Sequence, residues 1–237
     1  MKVAPKVIVL VRDADGFGLS FADALCPKSN SNLTRETSSF ELSLEKYGVK
    51  NSKASGDLIQ ILDPSGSPQV SIFLLQNYRT PIAACAIKEL LSSISGRPTI
   101  VLPYVMKSLK VNKEAASELS AKKEVTLYAA EIGGSSELTK AMISGAISAP
   151  PSLQIHCEAL ACLMPMARVL NFPTVLLIAS GGQRPNRGVS NPELEALFEL
   201  GKVVGSHLGL CFCNDKIQQK PIEKSTSDGD SWRALYG

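Results

Sequence analysis

Six short runs rich in Val, Ile and Leu recur along the chain: "KVIVLV" from Lys6, "DLIQIL" from Asp57, "VSIFLL" from Val70, "TIVLPYV" from Thr99, "EVTLYAAEI" from Glu124 and "TVLLIAS" from Thr174. Several are continuously apolar rather than alternating, the pattern of strands covered on both faces by helices. "FELSLEKYG" differs, because Phe40, Leu42 and Leu44 alternate with Glu and Ser, which suits a strand near an edge with one wet face. Helical patterns lie between the strands. One opens with Thr80 as a cap and Pro81 in the first turn and stops near Gly96. Others cover residues 112–123, 152–171 and 190–209, the second of these carrying only Glu158 and Arg168 as charges and therefore expected to be mostly buried. This alternation predicts a single α/β domain over residues 1–213, with a largely parallel sheet flanked by helices. Residues 26–38 read as a polar loop. From Asn214 to Ser231 charges and serines dominate, so residues 214–237 read as a flexible tail.

A chain of 237 residues can build one sizeable core, and a net charge of +3, scattered and without interleaved aromatics, gives no footprint for nucleic acid. No window reaches membrane-spanning length without a charge, and the opening apolar run is a strand rather than a leader, so no membrane association is expected. The six cysteines lack zinc spacing and read as reduced cytosolic thiols, so a cytoplasmic protein is expected, with the nucleus as a second expected compartment.

Enzyme motifs fail in turn. There is no G-x-x-x-x-G-K-[ST] loop and no G-x-S-x-G elbow, and no set of catalytic residues, metal ligands or cofactor contacts emerges. "DADGFG" (13–18) opens like a calcium loop but lacks the later ligands. His156, spaced with Leu153, Leu160 and Leu163, reads as a hydrogen-bonded core histidine. Cys211 and Cys213 face one side of a strand and read as packing, since residues two apart are poorly placed for a disulfide. Gly201, Gly205 and Gly209 form a bare stripe on a helix, to be covered by the sheet of the same domain or by a helix of a partner subunit. "GGQRPNRG" (181–188) follows a strand and precedes a helix, and Arg184 and Arg187 with its backbone N–H groups could hold an anion. That loop carries the alternative reading, an α/β enzyme or small-ligand binder for an anionic ligand.

The tail ends in "DSWRALYG", which places the only tryptophan, Trp232, just before an apolar side chain, a phenol and a terminal carboxylate within three residues. Terminal carboxylate capture is a recurring recognition mode. The 18 residues from Asn214 to Ser231 would reach roughly 25 Å as a flexible linker, enough to add avidity beside a surface covered by the body.

A hydrophobic residue, tyrosine and any last residue resembles the ending that proteasome-binding proteins insert between α subunits of the core particle. The run "LQIHCEALACLMPMARVLNFPTVLLIAS" and the block "VSIFLLQNY", followed by a helix and "RPTIVLPYV", resemble the proteasome assembly chaperone 1 family over about residues 70–213. The resemblance implies an α/β subunit that pairs with a second, related chaperone subunit. The heterodimer would bind proteasome α subunits during assembly of the 20S core particle, without catalysis or cofactor. It further implies that Leu235 fills an apolar wall, Tyr236 packs and hydrogen-bonds, and the Gly237 carboxylate pairs with a pocket lysine.

Overall fold

Val7 and Val9 turn to one side of the first strand, Ile8 and Leu10 to the other, and all four are buried. A strand of this kind needs a packed layer on each face. The computed structural model, which describes residues 1–50, 53–106, 125–151, 153–181 and 192–218, supplies both.

The strands β1 (Lys6–Val11), β5 (Pro68–Leu75), β6 (Thr99–Met106) and β9 (Thr174–Gly181) form the parallel centre of an eight-stranded sheet. Its flanks are β3 (Thr34–Ser43) and β4 (Lys53–Leu62) on one side and β7 (Val125–Ile132) and β8 (Ile147–Ser148) on the other, giving the order β3-β4-β5-β1-β6-β9-β7-β8. β5, β1, β6 and β9 pair parallel to one another, whereas β4 joins β5 and β7 joins β9 antiparallel. The sheet is therefore mixed, parallel at its centre and antiparallel where β4 and β7 join it, with the short edge strand β8 parallel to β7.

Helices α1 (Phe17–Ala24) and α5 (Pro192–Leu208) cover the face of Ile8, Leu10, Ile72 and Leu74. Helices α2 (Ile82–Ser93) and α4 (Glu158–Val169) cover the face of Val7, Val9, Phe73 and Leu102. α3 (Glu137–Ser144) packs against β7 and α5. Each fully buried Leu, Ile or Phe stabilises such layers by about 1.5–3 kcal/mol.

The alternation in "FELSLEKYG" marks the edge strand β3, whose Phe40 is buried and meets Phe73 edge-on at 5.5 Å. The expected polar loop at 26–38 is replaced largely by structure. Leu25–Pro27 form the short strand β2, and Thr34 to Ser38 open β3. These residues are polar because an edge strand is held by its backbone ladder, here ten register pairs from Thr34 to Ser43 with β4. The helix expected over 152–171 begins only at Glu158, with residues 153–157 in irregular backbone after Pro150-Pro151. The helix expected over 112–123 lies outside the described residues.

β2 pairs antiparallel with β10 (Leu210–Phe212) in a small second sheet. Gly201 and Gly205 of the expected glycine stripe face this sheet, so a segment of the same chain covers them, whereas Gly209 lies just past the end of α5 with φ +75°. A Cβ at Gly201 would come within 2.3 Å of the Phe212 ring, and one at Gly205 within 3.3 Å of the Leu210 carbonyl. After Cys213 the helix α6 (Asp215–Gln218) packs on α1.

Candidate functional site

In an open α/β sheet the loops leaving the carboxyl ends of the central strands diverge to opposite faces, and a crevice opens where they part. Here β1 leads into α1 on one face, while its neighbours β5 and β6 are joined through α2 on the other. A cavity of about 950 Å³ sits at this point. Its floor is apolar, with Val9, Leu10, Phe21, Met106, Leu160 and Leu200, and its rim carries Asp13, Asn77, Arg79, Tyr104, Gln154, His156 and Glu158.

The first side of the rim is "DADGFG". Asp13 Oδ1 accepts the N–H groups of Asp15 at 3.0 Å and Phe17 at 3.1 Å, and Oδ2 accepts that of Gly18 at 2.8 Å. The carboxylate thus fills the positive end of α1, the place where a phosphate would otherwise bind. Gly18 allows α1 to lie against β1, since a Cβ there would meet the Val11 carbonyl oxygen at 1.9 Å. The residues that resemble the start of a calcium loop therefore form a helix cap.

The second side joins α2 to α4. Thr80 donates its backbone N–H to a Glu158 carboxylate oxygen at 2.6 Å. Hydrogen bonds from the Thr80 backbone and hydroxyl, with the charge of Arg79, hold the Glu158 carboxyl below the usual range. Tyr78 is pinned by its hydroxyl, which accepts the Ser55 N–H at 2.8 Å and donates to the Lys53 carbonyl at 3.0 Å. The loop 76–80 is thereby fixed over the cavity.

Cys157 forms the N-cap position of α4 and lines the cavity. Burial pushes its thiol up. The N–H groups of Leu160 and Ala159 oppose that shift, and the Asp13 and Glu158 charges add to it. It stands as a neutral thiol rather than an activated nucleophile. His156 is exposed on the rim and precedes the helix. The core position expected for it fails because the helix on which that spacing was counted does not extend back to residue 156.

The remaining sites expected from sequence are divided. Of "GGQRPNRG" only Gly181 is described. A Cβ there would meet the Pro192 carbonyl oxygen at 2.4 Å, so the end of β9 and the start of α5 touch. Arg184, Arg187, Leu235, Tyr236 and Gly237 lie outside the described residues. Among the described residues no group of His, Cys, Asp or Glu is arranged to hold a metal ion, and no helix is long and apolar enough to cross a membrane.

A second feature is the outward face of α4, which sequence reasoning expected to be buried. Ala161, Pro165 and Val169, spaced by four, are exposed with Leu170 beside them, Val169 at 83%. Pro165 also leaves the Ala161 carbonyl without its helical N–H partner. Glu158 and Arg168 stand at the two ends of this row. The sequence signal was the low charge of the helix together with a proline in its middle, features that burial alone does not explain.

The model of a family described as "Domain of unknown function (DUF7894)" matches residues 1–237. No curated protein matches the sequence. Similar folds occur among solved structures. A protein of unknown function from Corynebacterium glutamicum has a TM-score of 0.55 at 12% identity, over 91% of this chain and 79% of that one. PbaB of Pyrococcus furiosus, described as an archaeal proteasome activator, has a TM-score of 0.55 at 10% identity, over 91% of this chain and 88% of that one. PbaA of the same organism, described as an archaeal homolog of proteasome-assembly chaperone, has a TM-score of 0.52 at 14% identity, over 92% and 83%. At these identities the likeness is one of fold, and it agrees with the α/β architecture expected from the apolar runs.

Proposed function

The chain belongs to the DUF7894 family, and we propose that it is a non-enzymatic chaperone that promotes assembly of the 20S proteasome α-ring. It works as a heterodimer with a second chain of related fold, taking the place of proteasome assembly chaperone 1. The observation that carries this reading is the exposed row Ala161, Pro165, Val169 on α4, an apolar face suited to a protein partner. Three further points support it. The fold is shared with PbaA and PbaB, whose descriptions name proteasome assembly and activation. The helix end facing the cavity is filled by Asp13, and the cavity's cysteine is a neutral thiol, which disfavours phosphate binding and covalent catalysis there. The last three residues, Leu235-Tyr236-Gly237, offer an apolar wedge, a phenol and a carboxylate to a pocket on an α subunit.

The test is a pull-down of tagged full chain from cell extract beside a version lacking Leu235-Tyr236-Gly237. Recovery of α subunits and a second chaperone chain, with the α subunits reduced on truncation, is the expected result. Recovery of no α subunit by either version sinks the proposal.

A further inference from the structure

Three of the six cysteines meet on the small β2–β10 sheet, outside the cavity. Cys26 and Cys211 are register partners across the two strands. Directly opposed residues have Cα atoms about 4.5–5.5 Å apart, inside the range a disulfide spans. The Cys211 Sγ lies over β2, 3.3 Å from the carbonyls of both Cys26 and Pro27, and 3.7 Å from the Cys213 Sγ. Lys216 on α6 donates an ammonium hydrogen bond to the Cys26 Sγ at 2.8 Å. All three sulfurs belong to half-buried residues, so a small oxidant can reach them.

We infer that Cys26, Cys211 and Lys216 form an oxidisable thiol site whose substrate is a hydroperoxide and whose product is a Cys26–Cys211 disulfide. Cys26 attacks first. An ammonium beside the sulfur stabilises the negative charge it carries into the reaction, and partly exposed thiols next to lysine are the reactive kind. The Cys26 thiolate takes the distal peroxide oxygen, the O–O bond breaks, and the alkoxide or hydroxide leaves and is protonated by solvent. The sulfenic acid at Cys26 then meets the Cys211 thiol across the ladder. The S–S bond forms, the S–O bond breaks, and water leaves with the thiol proton. Two thiols lose two electrons in all, and the peroxide gains them. Cys213 remains the neutral neighbour, with burial and the two nearby sulfurs pushing its thiol up to about 11. The bond would tie β10 to β2 where the chain passes into α6 and on to residues 219–237.

The experiment uses the reduced full chain, one equivalent of hydrogen peroxide, then N-ethylmaleimide and intact mass. The expected product carries four maleimides instead of six and has lost two hydrogens. Trypsin should then release residues 13–28 linked to 203–216, with the linked sulfurs mapped to Cys26 and Cys211. In Cys211→Ser combined with Cys213→Ser, dimedone should label Cys26, and Lys216→Met should slow the loss of maleimide sites several-fold. Circular dichroism of each variant checks that it folds. Six maleimides after oxidation, a bond within 203–216, a bond to Cys85, Cys157 or Cys162, or a link between two chains each overturns the inference.

Discussion

The Gly18 N–H points at Asp13 Oδ2 from 2.8 Å, so the first turn of α1 closes on a carboxylate of its own chain. With Asp15 and Phe17 donating to the other oxygen, removing the carboxylate leaves three backbone donors to be satisfied by solvent. Asp13→Ala should lower stability by about 1–2 kcal/mol, the upper part of the range for helix caps, measured by urea denaturation. Inorganic phosphate should leave the melting temperature of the parent chain unchanged. A phosphate-dependent rise that Asp13→Ala does not enhance would mean that another anion site exists.

Gly201 and the Phe212 ring make the closest approach on the α5 stripe, and Phe212 in turn lies 5.3 Å from the Phe21 ring. Alanine at 201 would gain about 1 kcal/mol of helix propensity. It would also push a ring that is held by β10 and α1, and overpacking costs about 1–3 kcal/mol. Gly201→Ala should therefore be neutral to destabilising by up to about 2 kcal/mol, whereas Gly209→Ala, with φ +75°, is strained whatever the space. Urea midpoints for the two variants check the ordering. A clear gain at Gly201 would show that the stripe is looser than its contacts imply.

The layers of this fold were legible because Val7, Ile8, Val9 and Leu10 are all apolar, and only a strand covered twice tolerates that. Neighbour order was not legible, since periodicity reports which faces are buried and not which strand lies beside which. β3 was half hidden, because Thr34 to Ser39 are held by β4 through the backbone and expose polar side chains. The cavity was foreseeable only as a switch point. Its polar rim comes from four separate segments that no local pattern joins. The Asp13 cap had a usable signal in an aspartate four residues before Phe17, but the same letters fit a calcium loop.

Cys213 gives a dependence on pH. Burial first, then Cys211 and Cys26, raise its folded pKa to about 11, above the value of about 8.5 for a free thiol. The fold thus favours the neutral form. The stability linked to this is fully present below about pH 8.5 and is lost as pH rises toward 11. The urea midpoint should fall between pH 8 and pH 10.5, and less steeply in Cys213→Ser. Cys157 and Cys162 are raised in the same direction by burial, so the slope is reduced rather than abolished. An identical slope in variant and parent would place Cys213 in a more open setting.

Val169 separates a partner surface from a merely exposed one. It stands 83% exposed at the end of the α4 row, so its side chain contributes little to this chain alone. Val169→Asp should change the urea midpoint by no more than about 0.5 kcal/mol, as surface substitutions usually do. If a second chain covers α4, the same aspartate would be buried without a partner, which costs several kcal/mol at an interface. The variant should then lose the co-purifying chain while keeping its own fold by circular dichroism. The truncated chain lacking Leu235-Tyr236-Gly237 should do the reverse, keeping the partner and losing α subunits, because residues 219–234 separate the two surfaces in sequence. Loss of both interactions in both variants would mean that tail and helix serve one surface. Retention of the partner in Val169→Asp would move the seam away from α4.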